Sequence, residues 1–270
     1  MLDNTQVDSL FEELLNHYGY DFRDYSRASV LRRLARFMAH TNLPDIHALK
    51  ASTLKDPQFF EYFLQEITVN VTEMFRDPTF FLALRQKVIP ILSTYPYIKI
   101  WDAGCSTGEE IFSLAIVLKE EKLLKRTRIY ATDIKQKVLR QAKEGIFPIS
   151  SMVQYTKNYQ KAGGKYSLAD YYHAHHGGAI FNSALLENVI FYPHNLATDE
   201  SFNEFHLIIC RNVLIYFNKQ LQERVFGIFL KSLAPLGYLG LGKKESTLFA
   251  TEPHFFENID KEEKIYRRTY

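Results

Sequence analysis

Through about residue 93, apolar positions recur with a helical period; beyond it, short apolar runs alternate with longer helical stretches. Val7, Leu10, Phe11, Leu14 and Leu15 fall at i, i+3, i+4, i+7 and i+8, which predicts one amphipathic helix. Val30, Leu31, Leu34 and Phe37 make a second stripe. A third helix is predicted from Pro57 to about Thr68, with Asp56 as N-cap, and Asp77-Pro78 opens a fourth in the same way.

From about Ile98 the texture changes. The runs at 98–103, 128–133, 188–192, 205–210, 237–242 and 264–268 read as strands, and 108–121, 135–145 and 218–233 as helices. Such alternation predicts an α/β fold with a mostly parallel sheet covered by helices on both faces. The boundary falls where Ser93, Thr94 and Pro96 cluster, giving a helical unit over 1–93 and a second unit over 97–270. Residues 148–187 break the alternation: they are rich in tyrosine and histidine and hold Gly163-Gly164 and Gly177-Gly178. That is too long for a simple connection and reads as a small inserted subdomain, a hairpin or three short strands.

Composition narrows the class. The 270 residues are 46% hydrophobic and 24% charged, enough to build a core, so wholesale disorder is ruled out. A formal net charge of +2 is too balanced for a protein that coats nucleic acid. No apolar run approaches the ~18 residues of a membrane-spanning helix, and the acidic start does not resemble a secretory signal. Two cysteines form no disulfide framework, so a reducing, cytoplasmic location is expected, with both thiols free. Cys105 follows the first predicted sheet strand and Cys210 ends another; if those strands are neighbours, both cysteines lie on one rim.

Candidate chemistry begins at Trp101-Asp-Ala-Gly-Cys-Ser-Thr-Gly-Glu-Glu110, a strand, a glycine turn and a helix start. Gly104 permits close approach of a ligand and Gly108 a tight helix entry. The stretch is neither GxGxxG nor a GK[ST] loop, and Glu109 and Glu110 would repel a pyrophosphate. They suit a ligand with hydroxyls and positive charge, or simply complement the helix dipole. Asp133 ends the next strand, where an acid binds a ribose diol, or caps the helix that follows. Together these features point to S-adenosylmethionine.

Three further segments make a resemblance specific: Ile67-Thr-Val-Asn-Val-Thr-Glu-Met-Phe-Arg-Asp77, Pro193-His-Asn-Leu196 and Cys210-Arg-Asn-Val-Leu-Ile-Tyr-Phe217. With Asp24-Tyr-Ser-Arg-Ala-Ser-Val-Leu-Arg-Arg-Leu34 and Ala131-Thr-Asp-Ile134, the chain resembles the CheR family of chemoreceptor glutamate O-methyltransferases over nearly its whole length. The resemblance implies a Rossmann-like methyltransferase sheet with its last strand antiparallel, an all-helical N-terminal substrate-recognition domain and a small inserted β-subdomain. It assigns Asn70, Thr72 and Arg76 to a segment closing over the cofactor, and Gly104 with Glu109 or Glu110 to the glycine turn. Asp133 is assigned to the ribose, and Asn195, Leu196, Arg211 and Asn212 to later cofactor contacts. Tyr216 is placed beside the acceptor carboxylate. One stretch departs from the family's Gly-x-Ser-Glu-Ser: it reads Gly242-Lys243-Lys244-Glu245-Ser246, so the local loop is expected to differ.

The implied chemistry is self-consistent. A glutamate, with an ordinary pKa of about 4.3, is already ionised at neutral pH and needs no general base. It needs desolvation and alignment, so Arg76 is expected to hold one carboxylate oxygen while Tyr216 donates a second hydrogen bond. Arg32, Arg33 and Arg36 share a helix side and form a candidate substrate-binding stripe. In the resembled family that helix faces the acidic methylation region of a chemoreceptor's cytoplasmic domain; a solvated face is the plain alternative. A glycine-bearing loop of the family's inserted subdomain can dock a receptor tail, and Gly163-Gly164 sits in the corresponding region. His173, His175 and His176 lack supporting ligands, so no metal is expected, and Ser106 and Ser113 lie in no nucleophile elbow. The expected protein is a monomer with no nucleic-acid partner and no membrane insertion. The alternatives are an RNA or small-molecule methyltransferase on the same sheet, and a non-catalytic cofactor-binding signalling module.

Overall fold

The computed structural model describes residues 3–68, 72–250 and 252–269. The N-terminal helices are α1 (Asn4–Tyr18), α2 (Arg27–Thr41), α3 (Ile46–Lys55) and α4 (Pro57–Ile67). Val7, Leu10, Phe11 and Leu14 of α1 are buried as their spacing predicts, and so are Val30, Leu34 and Phe37 of α2. They enclose a core with Phe22, Phe60 and Phe63. Asp56 caps α4 by accepting the Gln58 N–H, with Pro57 at the first position. α3 is an addition to the sequence reading. It buries only Ile46, Leu49 and Thr53, too sparse a stripe to stand out.

α5 (Pro78–Ala83) passes through a π-helical turn (Leu84–Val88) into α6 (Ile89–Leu92). Then follow β1 (Ile98–Ala103), α7 (Glu109–Glu120), β2 (Thr127–Asp133) and α8 (Gln136–Glu144), which ends at Gly145 in the left-handed region. The inserted part holds β3 (Ile146–Pro148), α9 (Met152–Lys161), β4 (Tyr172–His175) and β5 (Gly178–Phe181). Its three strands form an antiparallel sheet in the order β3-β5-β4. The expected short strands are therefore present, joined by a helix that the sequence reading did not include. β6 (Val189–Pro193), β7 (Phe205–Cys210), α10 (Lys219–Ser232), β8 (Leu233–Leu241), β9 (Phe256–Asp260) and β10 (Ile265–Arg268) complete the chain.

The main sheet runs β6-β2-β1-β7-β8-β10-β9. The first five strands in that order are parallel neighbours, and β10 is antiparallel to both β8 and β9. The antiparallel last strand agrees with expectation; β9 at the edge is a further strand. From β1 the chain moves to β2 on one side and later returns as β7 on the other. The strand order thus reverses between β1 and β7, which opens a crevice at their C-terminal ends. Asp102 pairs with Ile209, so Cys105 and Cys210 lie at that same rim; both are free and buried. Among the described residues no helix is long and apolar enough to cross a membrane.

Candidate functional site

At the switch point the turn after β1 folds against the end of β2. The N–H groups of Gly104 and Cys105 both donate to the Thr132 carbonyl, at 2.8 and 2.9 Å. Gly104 has φ 92°, and a Cβ there would lie 2.5 Å from Val213 Cγ2. Gly108, at φ 96°, would meet Ala142 Cβ at 2.8 Å, so only glycine lets α7 start this close to α8.

A cleft opens above this turn. Thr72, Arg76, Gly104, Glu110, Asp133, Asn195, Leu196, Arg211, Asn212 and Tyr216 all line it, joined by Arg33 from α2. The topology thus gathers ten residues of the main unit and linker, from Thr72 to Tyr216, around one space. Asn70 lies outside the described residues. Glu109 is turned away and buried; it bonds to the Thr107 hydroxyl at 2.6 Å, so Glu110 is the acid that faces the cleft. Arg32 and Arg36 are exposed and outside the cleft, Arg36 lying 4.0 Å from Glu66. The shared helix side therefore divides. Arg33 sits beside Val30 and Phe37 at the edge of the buried stripe and turns inward.

Asp133 accepts the N–H of Ser106 on one oxygen and of Lys135 on the other, each at 3.0 Å. It is only 9% exposed, and burial pushes its carboxyl above the ordinary value against the pull of Lys135. Asp102, at the end of β1, is raised further by burial and by the Glu110 and Asp133 charges, with Arg211 opposing. Three carboxylates therefore crowd the glycine turn. Such a set of acceptors suits hydroxyl donors and a cationic ligand; it is hostile to phosphate.

Arg211 ties one of these carboxylates, Glu110, to the Arg76 segment. Its guanidinium meets Glu110 at 2.6 Å, Asp77 at 2.8 Å and the Arg76 carbonyl at 2.9 Å, and lies over the Phe80 ring. The Arg76 segment is pinned on both sides: Phe75 N–H donates to Ser113 Oγ at 2.8 Å, and Asn158 Nδ2 donates to the Met74 carbonyl. Phe75 and Asp77, flanking Arg76, both have left-handed backbones (φ 51° and 52°), a costly conformation for such residues.

On the opposite side α2 clasps the turn that carries Tyr216. Ser26 N–H donates to the Tyr216 carbonyl at 2.7 Å, and Asn218 N–H to the Asp24 carbonyl at 2.8 Å. Tyr25 and Phe217 pair as an isolated antiparallel bridge with rings 5.1 Å apart. Arg33 donates to the Ile67 carbonyl and lies 5.1 Å from the centre of the Tyr216 ring. Lys135 also lines the cleft and was not anticipated. It is 2% exposed, and burial pulls its pKa down to about 8 despite Asp133. A lysine just before a helix ordinarily reads as solvated, and nothing in its sequence neighbourhood marks it as buried.

Two family models match the chain: "CheR methyltransferase, all-alpha domain" over residues 5–68 and "CheR methyltransferase, SAM binding domain" over 70–265. A Pseudomonas putida protein with the provisional name methyltransferase Cher3 is 48% identical over 268 residues, 98% of each chain. The chemotaxis protein methyltransferase of Salmonella typhimurium is 29% identical, covering 91% of this chain and 85% of that one. That of Listeria monocytogenes is 27% identical, with 92% and 93% covered. Among solved structures, the N-methyltransferase NodS of Bradyrhizobium japonicum with S-adenosyl-L-homocysteine covers 73% of this chain and 89% of that chain. The two chains are 14% identical, with a TM-score of 0.39.

Proposed function

The chain belongs to the CheR methyltransferase family, whose members use S-adenosylmethionine, and from that premise we propose that it esterifies glutamate side chains on the cytoplasmic part of a chemoreceptor. The observation that carries this reading is the meeting of Arg76 and Tyr216 with Asp133 in one cleft. When bound, S-adenosylmethionine supplies a sulfonium-linked methyl group, whose transfer to a carboxylate oxygen leaves the electron pair on sulfur and moves no proton.

The residues fit both ligands. Asp133 accepts from the ribose hydroxyls. Gly104, whose missing Cβ lets Val213 pack against the turn, presents its backbone to the ligand, and Leu196 offers an apolar face to the adenine. Glu110 adds negative charge on the side of the methionine ammonium. Arg76 neutralises the acceptor glutamate and fixes one of its oxygens, and Tyr216 donates to the same carboxylate. The cleft strips water from that carboxylate, which restores its nucleophilicity. Arg32 and Arg36 are left on the surface to meet an acidic receptor helix. The test is transfer of tritiated methyl to candidate receptor cytoplasmic domains, with base-labile counts marking methyl esters. Counts that survive base, or that appear only on RNA, would replace this reading.

Two expectations follow from the charges. Asp133→Ala weakens S-adenosylhomocysteine binding by ~1.5–3 kcal/mol through lost hydrogen bonds. The diol needs Asp133 ionised, and burial raises its pKa in the free protein. Affinity of the parent protein therefore falls as pH drops from neutral toward that raised value, above the ordinary 3.8, while the variant's pH dependence is flatter. Calorimetry across that window checks both; equal affinities at neutral pH would remove Asp133 from the site.

Replacing both Arg32 and Arg36 by Ala raises the Michaelis constant for receptor and flattens its salt dependence, since exposed charges act through a screened field. Cofactor affinity stays constant. A double variant that methylates receptor normally at low salt shows the stripe to be merely solvated.

A further inference from the structure

The loop that departs from the family pattern contains a built anchor. Glu245 is 5% exposed and lies beneath the turn joining β7 to α10. Its Oε2 accepts the N–H of Gly242 at 2.6 Å and of Asn212 at 2.9 Å, and its Oε1 accepts that of Ile215 at 3.4 Å. Burial pushes its carboxyl upward, and the N–H groups of Gly242, Asn212, Leu214 and Ile215 work against that push. Asn212 has φ 61°, a left-handed backbone whose N–H the carboxylate holds directly. From that residue the chain makes a tight 3-10 turn over Leu214–Tyr216. Gly242 belongs to the same device: a Cβ there would lie 2.7 Å from Glu245 Oε2 and 2.9 Å from the Asn212 nitrogen.

We infer that Glu245 is a positioning residue for Tyr216, holding the left-handed turn at Asn212 so that the tyrosine faces the acceptor, an inference that rests on the proposed role of Tyr216. Glu245 itself does not line the cleft. Its effect passes through backbone N–H groups, and only an ionised carboxylate, which accepts at every lone pair, serves all of them. The amide of a glutamine would turn N–H donors toward N–H donors. Lys244, which stands where the resembled family has serine, leaves this acceptor in place.

The decisive measurement is a double-mutant cycle on methyl transfer. Glu245→Gln is expected to lower kcat at least ~10-fold with KM for receptor within ~3-fold, the pattern of a lost alignment. In a Tyr216→Phe background the same substitution costs less than ~3-fold more, because residues acting as one unit are not additive. Glu245→Asp recovers part of the rate, and Gly242→Ala, which wedges the carboxylate from the turn, reproduces the loss. Normal kcat in Glu245→Gln, or an equal loss in both backgrounds, overturns the inference. A parent protein that esterifies no receptor domain defeats the functional reading instead. Amide exchange over residues 211–217, which needs no substrate, then decides Glu245 alone: faster exchange in Glu245→Gln sustains the anchor, and unchanged exchange ends it.

Discussion

Arg76→Ala lowers the rate of methyl-ester formation at least ~100-fold, the scale of a lost charged positioning contact, while S-adenosylhomocysteine affinity changes far less. The strained backbone around Arg76 is fixed by groups the substitution leaves untouched: Ser113 on Phe75, Asn158 on Met74, and Arg211 on the Arg76 carbonyl and the Asp77 carboxylate. The backbone on both sides of residue 76 is therefore held by bonds that do not involve its side chain. Single-turnover rates with receptor, paired with calorimetry, give the two numbers. A near-normal rate would leave the acceptor carboxylate without its cation and the proposed mechanism without support.

The largest stability effect is expected far from the cleft. Glu120, whose side chain is fully buried, pairs with Arg85 at 2.5 Å and accepts the hydroxyls of Tyr159 and Tyr171 at 2.5 and 2.8 Å. Arg85 also reaches Glu121 and the Ala162 carbonyl. One carboxylate thus joins α7, the π-helical turn after α5 and the inserted subdomain. Glu120→Ala leaves a nearly buried arginine and two tyrosine hydroxyls short of their acceptor, at a cost of about 3–5 kcal/mol. Urea unfolding measures it; a loss under ~1 kcal/mol would mean that Glu121 alone satisfies Arg85.

Much of the fold was legible because its elements carry the period of their environment. β1 and β7 are mostly apolar runs, interrupted only by Lys99 and Asp102 in the first and His206 in the second, as suits strands covered on both faces, and α1 shows its buried stripe residue by residue. β9 was missed because Phe-Glu-Asn-Ile-Asp at a sheet edge has no such run, and only Phe256 of its five residues is buried. For the site, motifs gathered residues that spacing alone could not bring together. Their limit shows at Glu109 and Glu110, adjacent carboxylates that a helix turns about 100° apart, so that only the second reaches the cleft. Arg33 posed the same problem in reverse: its spacing matches Arg36, but the edge of the core runs between them. Glu245 and Lys135 act through tertiary position, and no local pattern announces that.

The clasp between residues 24–26 and 216–218 has a consequence for how such a protein changes clients. The start of α2 and the turn of Tyr216 are joined by paired backbone groups and a ring contact, with Arg33 spanning the two. A mutation that tilted α2 to greet a different receptor would drag the tyrosine out of line along with it. The helix axis is therefore the conservative part of the partnership. On the proposed reading, preference for one receptor over another is set at exposed positions such as Arg32 and Arg36, where a side chain can change while the machinery beneath it stays still.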